Sequence, residues 1–102
     1  MCYVLSKYFT QYLGRTGTVN LYYHVTKCSD GLYGVMIEKI THDGISEVET
    51  SKGISEDRSI VDAIARILCR NSVTPCVLNE VINDMTLQQI SYLDYQENKF
   101  VG

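Results

Sequence analysis

Two Asp-Gly pairs, each lodged between runs of strand-like residues, constrain this chain more than any other feature. In the first run, TVNLYYHVTKC, Val19, Leu21, Tyr23 and Val25 alternate with Asn20, Tyr22, His24 and Thr26. That period of two gives a strand one apolar face. SDG (Ser29 to Gly31) follows, then LYGVMIEKIT, then HDG (His42 to Gly44), then ISEVET. Each Asp-Gly between such runs marks a hairpin. A two-residue Asp-Gly loop would set Tyr23 opposite Glu38. A three-residue Ser-Asp-Gly loop instead pairs Val25 with Val35 and Tyr23 with Ile37. A one-residue slip sends every side chain to the other face, so the register that gathers the apolar residues is expected. It also places Gly31 at a left-handed position, where a missing Cβ costs nothing. The same count at the second hairpin sets Lys39 opposite Glu47, as a cross-strand ion pair. CYVLSKYFTQYL, linked through GRTG, reads as a further strand.

The second half has helical periodicity. Ser55 is the expected N-cap, with Glu56 and Asp57 in the first turn and Arg70 in the last, in keeping with the helix dipole. Ile60, Ile64, Ile67 and Leu68 form the expected apolar stripe, and Asp62 and Arg66 lie four apart on the wet side. Asn71 and Ser72 end this helix. Thr74 then caps a second one, with Pro75 at its first position and Leu78, Val81, Ile82 and Met85 as its buried stripe. The stripe Leu87, Ile90, Leu93 is out of phase with it, and Thr86 with Gln89 makes a capping box, so a break near Thr86 and a short third helix are expected.

The reading is therefore α+β: an antiparallel meander of about four strands followed by two or three helices packed on one face. Residues 1–86 form a single domain, with strands over about 2–50 and helices over about 56–71 and 75–85. Residues 87–102 are expected to be a C-terminal extension, a short helix and then a frayed tail. A chain of 102 residues can build one self-sufficient core, and its 45% hydrophobic content excludes disorder.

The hinge CRNSVTPCVLNEVI (Cys69 to Ile82) raises the question of a DNA-reading helix-turn-helix. Such a motif needs cations against phosphate, yet Asn71 to Asn98 contains no Lys or Arg. Asn71 to Gly102 has four acidic residues and one basic, a net of −3, while the rest of the chain balances to zero. The strands add Lys7, Arg15, Lys27, Lys39 and Lys52, matched in number by acids. A structural hinge is expected, with no nucleic-acid binding.

ISEDR (Ile54 to Arg58), a helix, and VTPCVLNEVINDM (Val73 to Met85) resemble the C-terminal signature of a family of short Firmicutes proteins of unknown function. That family has strands first, a helix entered through Ile-Ser-x-Asp-Arg, and a Ser-Pro turn into a last acidic-apolar helix. The match covers some 32 residues well and the strands in outline. Val77 stands where a histidine is common in the family, and residues after Thr86 look like an extension. The resemblance implies the fold and a soluble bacterial protein. It carries over no catalytic residue.

No basic segment followed by an apolar core opens the chain, and no apolar run approaches the ~18 residues that span a bilayer. A cytoplasmic protein that does not engage a membrane is expected, with Cys2, Cys28, Cys69 and Cys76 as four reduced thiols. His24 and Cys28 lie ~13 Å apart along a strand, too far to share an ion. No positioned base stands beside a cysteine, no Gly-x-Ser-x-Gly elbow appears, and GRTG lacks the Gly-Lys-Ser/Thr end of a phosphate loop. No catalytic, cofactor-binding or metal-binding residue is nominated.

The eight tyrosines, without a tryptophan, are the unusual excess. Helices can cover only one face of a small sheet. The other face would carry Tyr22, His24, Met36 and Ile40, a composition suited to an interface with a protein partner or a second copy. The plain alternative is that Tyr and Thr favour strands and tolerate water there. A small non-catalytic interaction or regulatory module, self-associating through that face, is the favoured reading. A shallow small-molecule site on the same face is the second, and an enzyme with an undisclosed cleft the third.

Overall fold

The computed structural model describes residues 2–85. Four antiparallel strands, β1 (Cys2–Leu13), β2 (Thr18–Cys28), β3 (Tyr33–Ile40) and β4 (Ser46–Ser55), form one sheet in the order β1-β2-β3-β4. Helix α1 (Arg58–Arg70) follows, then one 3-10 turn (Pro75–Val77), and residues 78–85 are α-helical and are called α2. This is the expected α+β meander with its helices last.

Both Asp-Gly hairpins have the expected register. Val25 faces Val35, Tyr23 faces Ile37, and Lys39 faces Glu47. Cys28 donates its backbone N–H to the Leu32 carbonyl, which closes a three-residue loop, and Gly31 takes φ +83° within it. Asp30 caps that loop by accepting from the Leu32 N–H at 3.0 Å. Gly44 takes φ +87° at the equivalent place in the second hairpin.

Two register shifts bend the sheet. In β1 the shift lies between Val4 and Ser6, so Leu5 is an extra residue and the strand is bulged there. In β3–β4 it lies between Tyr33 and Val35, around Gly34. A Cβ on Gly34 would run into the Ser51 carbonyl and stand 3.0 Å from the Lys52 Cα, so the two backbones approach as only glycine permits.

One sheet face is the core. Leu21, Tyr23, Val25, Val35 and Ile37 are fully buried against Val61, Ala65, Leu68 and Leu78, with Ile64 and Ile82 beside them. Tyr23 donates its hydroxyl to the Val73 carbonyl at 2.8 Å, and Tyr8 donates to Asp62 at 2.7 Å. These two phenols tie the sheet to the helical hinge and to α1. The hinge that resembles a helix-turn-helix is thus fastened to the sheet by its own backbone.

Several expectations for α1 are corrected. Ser55 is the last residue of β4, and its Oγ accepts from the Asp57 N–H. The N-cap is Asp57, whose carboxylate accepts from the N–H and hydroxyl of Ser59. Those hydrogen bonds hold the Asp57 carboxyl below its usual range. The buried stripe is Val61, Ile64, Ala65 and Leu68, whereas Ile60 and Ile67 are 36% and 42% exposed. Val61, Ile64, Ala65 and Leu68 follow the i, i+3, i+4, i+7 spacing of one helical face, which leaves Ile60 and Ile67 on its flanks. Arg66 does pair with Asp62, at 3.4 Å.

Asn71 caps α1, with Ser72 at φ +52° beyond it. Thr74 precedes Pro75 as expected, yet its side chain makes no capping hydrogen bond. Leu78 and Ile82 are buried, with Val81 and Met85 partly so. The expected break at Thr86, the third helix and the tail lie outside the described residues.

The expectation of four reduced thiols is also corrected. Cys2 and Cys28 face each other at the end of the β1–β2 ladder and are joined as a disulfide. Cys69 and Cys76 are free. Burial pushes the Cys69 thiol up, which makes it an inert packing residue.

Candidate functional site

Strand register builds the second sheet face, which carries no described helix, row by row. Phe9, Tyr22, Glu38 and Val48 form one cross-strand row, and Lys7, His24, Met36 and Thr50 the next. Gln11, Asn20, Ile40 and Ser46 form a third, and Val4 stands opposite Thr26 beyond the β1 bulge. The four nominated residues Tyr22, His24, Met36 and Ile40 therefore share this open face. They are its floor: Tyr22, Met36 and Ile40 are half-buried, and His24 is buried.

The apolar groups that stand clear of the floor are others. Val4 is 50% exposed, Phe9 52% and Val48 53%. Val48 was reachable from sequence, because the hairpin count that sets Lys39 opposite Glu47 also sets Glu38 opposite Val48. Phe9 and Val4 were not, since Phe9 depends on the register that the GRTG loop imposes and Val4 depends also on the bulge at Leu5. The Phe9 and Tyr22 rings lie 5.1 Å apart and tilted, and the Lys7 ammonium stands 4.8 Å from the Tyr22 ring centre. Both contacts stiffen the face by specific geometry rather than by area alone.

His24 is the electrostatic oddity of this face. Among the described residues neither ring nitrogen has a hydrogen-bond partner, and the Thr26 hydroxyl two residues on lacks one too. Glu38 lies 3.8 Å from Nε2, close enough to pair with a protonated ring but too far for a hydrogen bond. Burial is the main force lowering the His24 pKa, and Lys7 adds to it, while Glu38 pulls the other way. Among the described residues no group of three His, Cys, Asp or Glu side chains converges on a point that could hold a metal ion. What the face offers is shape and mixed apolar-polar contact.

No curated protein and no solved structure matches the chain. A protein-family model does, over residues 5–88, which takes in β1 from Leu5 onward, the other three strands, α1, the hinge and α2. The chain accordingly belongs to the family of unknown function DUF6514.

Proposed function

We propose that the protein is a small, non-catalytic interaction or regulatory module, which contacts a protein partner through its open sheet face. One observation carries the reading: Phe9 and Val48, both more than half exposed, stand on a face that carries no helix among the described residues and whose floor is Tyr22, His24, Met36 and Ile40. Exposed apolar groups at both ends of a row, over a half-buried floor and beside Lys7 and Glu38, have the make-up of a protein interface. The partner is a protein and neither nucleic acid nor a membrane. The second helix, running from the hinge, carries Glu80 and Asp84 and no cation, and no described helix is long and apolar enough to cross a bilayer.

The test is cross-linking mass spectrometry in the native host, comparing the wild-type chain with Val48→Glu and with Tyr22→Glu combined with Met36→Lys. Cross-links on the open face that vanish in both variants, with the melting curve retained, are expected. Unchanged cross-links would sink the reading. The unpartnered His24 and Thr26 atoms favour a small polar ligand on the same face as a second reading. A thermal-shift screen against a metabolite panel separates the two, because a ligand that prefers the folded state stabilises it by mass action.

A further inference from the structure

The Cys2–Cys28 disulfide lies on the open face of the sheet. Cys28, Thr26 and His24 alternate along β2 on that side, and Cys2 and Val4 stand opposite Cys28 and Thr26. Residues 2–4 lie beyond the bulge at Leu5, cut off from the regular ladder that begins at Ser6. Cys2 is exposed, as are Tyr3 and Val4, and among the described residues the core and the side chains packed on it include none of residues 2–5. A short segment with so few buried contacts opens at low cost once nothing clamps it. Beneath it is a group that gains from opening. Thr26 is only 6% exposed, and its hydroxyl has no hydrogen-bond partner among the described residues. On the β3 side it faces Gly34, so Val4 supplies the side chain directly across the sheet from it. A buried hydroxyl without a partner costs free energy that water would return.

We infer that Cys2–Cys28 is a redox-switched clasp: low-molecular-weight thiols reduce it while the fold persists, and reduction frees residues 2–4 and opens the Thr26 end of the open face to water. Exposure sets the reactivity, because an exposed disulfide is more readily reduced than a buried structural one. The thiolate of one reductant molecule attacks the exposed Cys2 sulfur. The S–S bond breaks, and the Cys28 sulfur leaves with the electron pair and takes a proton. A second thiol molecule then attacks the reductant's sulfur in the mixed disulfide, releasing Cys2 as a thiolate that is protonated in turn. The protein gains two electrons and two protons, and the two thiols become one disulfide. The switch acts whether or not the open face binds a partner.

The test equilibrates the full chain in glutathione buffers of graded reduced-to-oxidised ratio, traps the thiols with N-ethylmaleimide, and locates the label by mass spectrometry. Hydrogen exchange and circular dichroism then compare the two end states. The bond is expected to interconvert completely within the series, with the circular dichroism spectrum retained. Exchange in the reduced form should quicken by roughly tenfold or more at residues 3, 4 and 26–28 and stay unchanged in β3 and α1. Cys2→Ser should show the same exchange pattern in every buffer. A bond that stays intact in the most reducing buffer overturns the inference, as does reduction that unfolds the whole chain. Reduction that leaves exchange at residues 2–4 unaltered also overturns it, since the bond would then be a staple and not a switch.

Discussion

Replacing Tyr23 by Phe isolates the bond that fastens the helical hinge to the sheet. The ring is completely buried, and its hydroxyl donates to the Val73 carbonyl at 2.8 Å across fifty positions of sequence. Phenylalanine keeps the ring and its packing, so no large cavity forms, in contrast to the 3–5 kcal/mol typical of a truncation to alanine. What remains is a lost hydrogen bond and a carbonyl with one partner fewer. The net worth of such a bond is about 1 kcal/mol, and the part-buried carbonyl can recover some of it from water. A loss of about 1 kcal/mol corresponds to ~4–8 °C in Tm for a domain of this size. Burial also raises the Tyr23 phenol well above its ordinary value. A raised folded-state pKa means that its contribution is whole below about pH 10, the unfolded value, and is lost as the pH climbs above that. Urea melts at neutral pH and at a series of alkaline values measure both effects. The substitution should lower neutral-pH stability and flatten the alkaline decline. A neutral-pH loss within the ~0.5 kcal/mol scatter of surface substitutions, with an unaltered alkaline slope, would refute the tether.

Other perturbations follow from single features. His24, whose pKa is lowered chiefly by burial, contributes stability that is present above about pH 6.5 and lost as the pH falls below it; His24→Gln should reduce that acid slope in thermal melts, while Glu38→Gln should steepen it. Gly34→Ala forces a Cβ onto the β4 backbone and should cost roughly 1–3 kcal/mol in urea unfolding, where a neutral result would mean that the two strands separate freely. Cys2→Ser opens a loop spanning 26 positions and should lower stability by about 3–4 kcal/mol, as should dithiothreitol on the wild type; identical melts with and without reductant would show that the bond contributes nothing. Asp57→Ala should lower Tm and remove part of the acid sensitivity, because a depressed carboxyl pKa stabilises the fold above its unfolded value and stops doing so as the pH falls through the folded one.

The hairpins were legible because Ser29-Asp30-Gly31 and His42-Asp43-Gly44 specify backbone conformation within a few residues of themselves. The helix start was less so: Ser55, Glu56 and Asp57 offer two good caps, and only the pairing of Ser55 with Tyr33 settles which one the sheet claims. The stripe of α1 was ambiguous because Ile60, Ile64, Ile67 and Leu68 and the buried set Val61, Ile64, Ala65 and Leu68 both keep helical spacing, and only packing on the sheet chooses between them. The Cys2–Cys28 bond was hidden for a different reason. Continued without interruption from Leu13–Thr18, the β1–β2 ladder would set Cys2 opposite Ser29. The one extra residue at Leu5 is what brings Cys2 against Cys28, and nothing in CYVLSKYFTQYL announces it. The same bulge decides the face of Val4, while Phe9 takes its face from the register of the GRTG loop; Tyr22, His24, Met36 and Ile40 lay on strands whose register the Asp-Gly turns had already set.

Strand order that follows chain order has a kinetic consequence. Every strand pairs only with its neighbour in sequence, so the sheet can grow as successive hairpins, each closing a loop of a few residues. The long-range closures belong to the helices and their hinge, which return to β1 and β2 from fifty or more residues away, as the Tyr8–Asp62 and Tyr23–Val73 bonds do. Topologies of low contact order fold quickly, and contacts made after the barrier govern unfolding. The β2–β3 hairpin is therefore expected to form in the transition state and the hinge to dock after it. Gly31→Ala should chiefly slow folding, while Tyr23→Phe should chiefly hasten unfolding, and stopped-flow chevrons with those assignments exchanged would show that the helices lead.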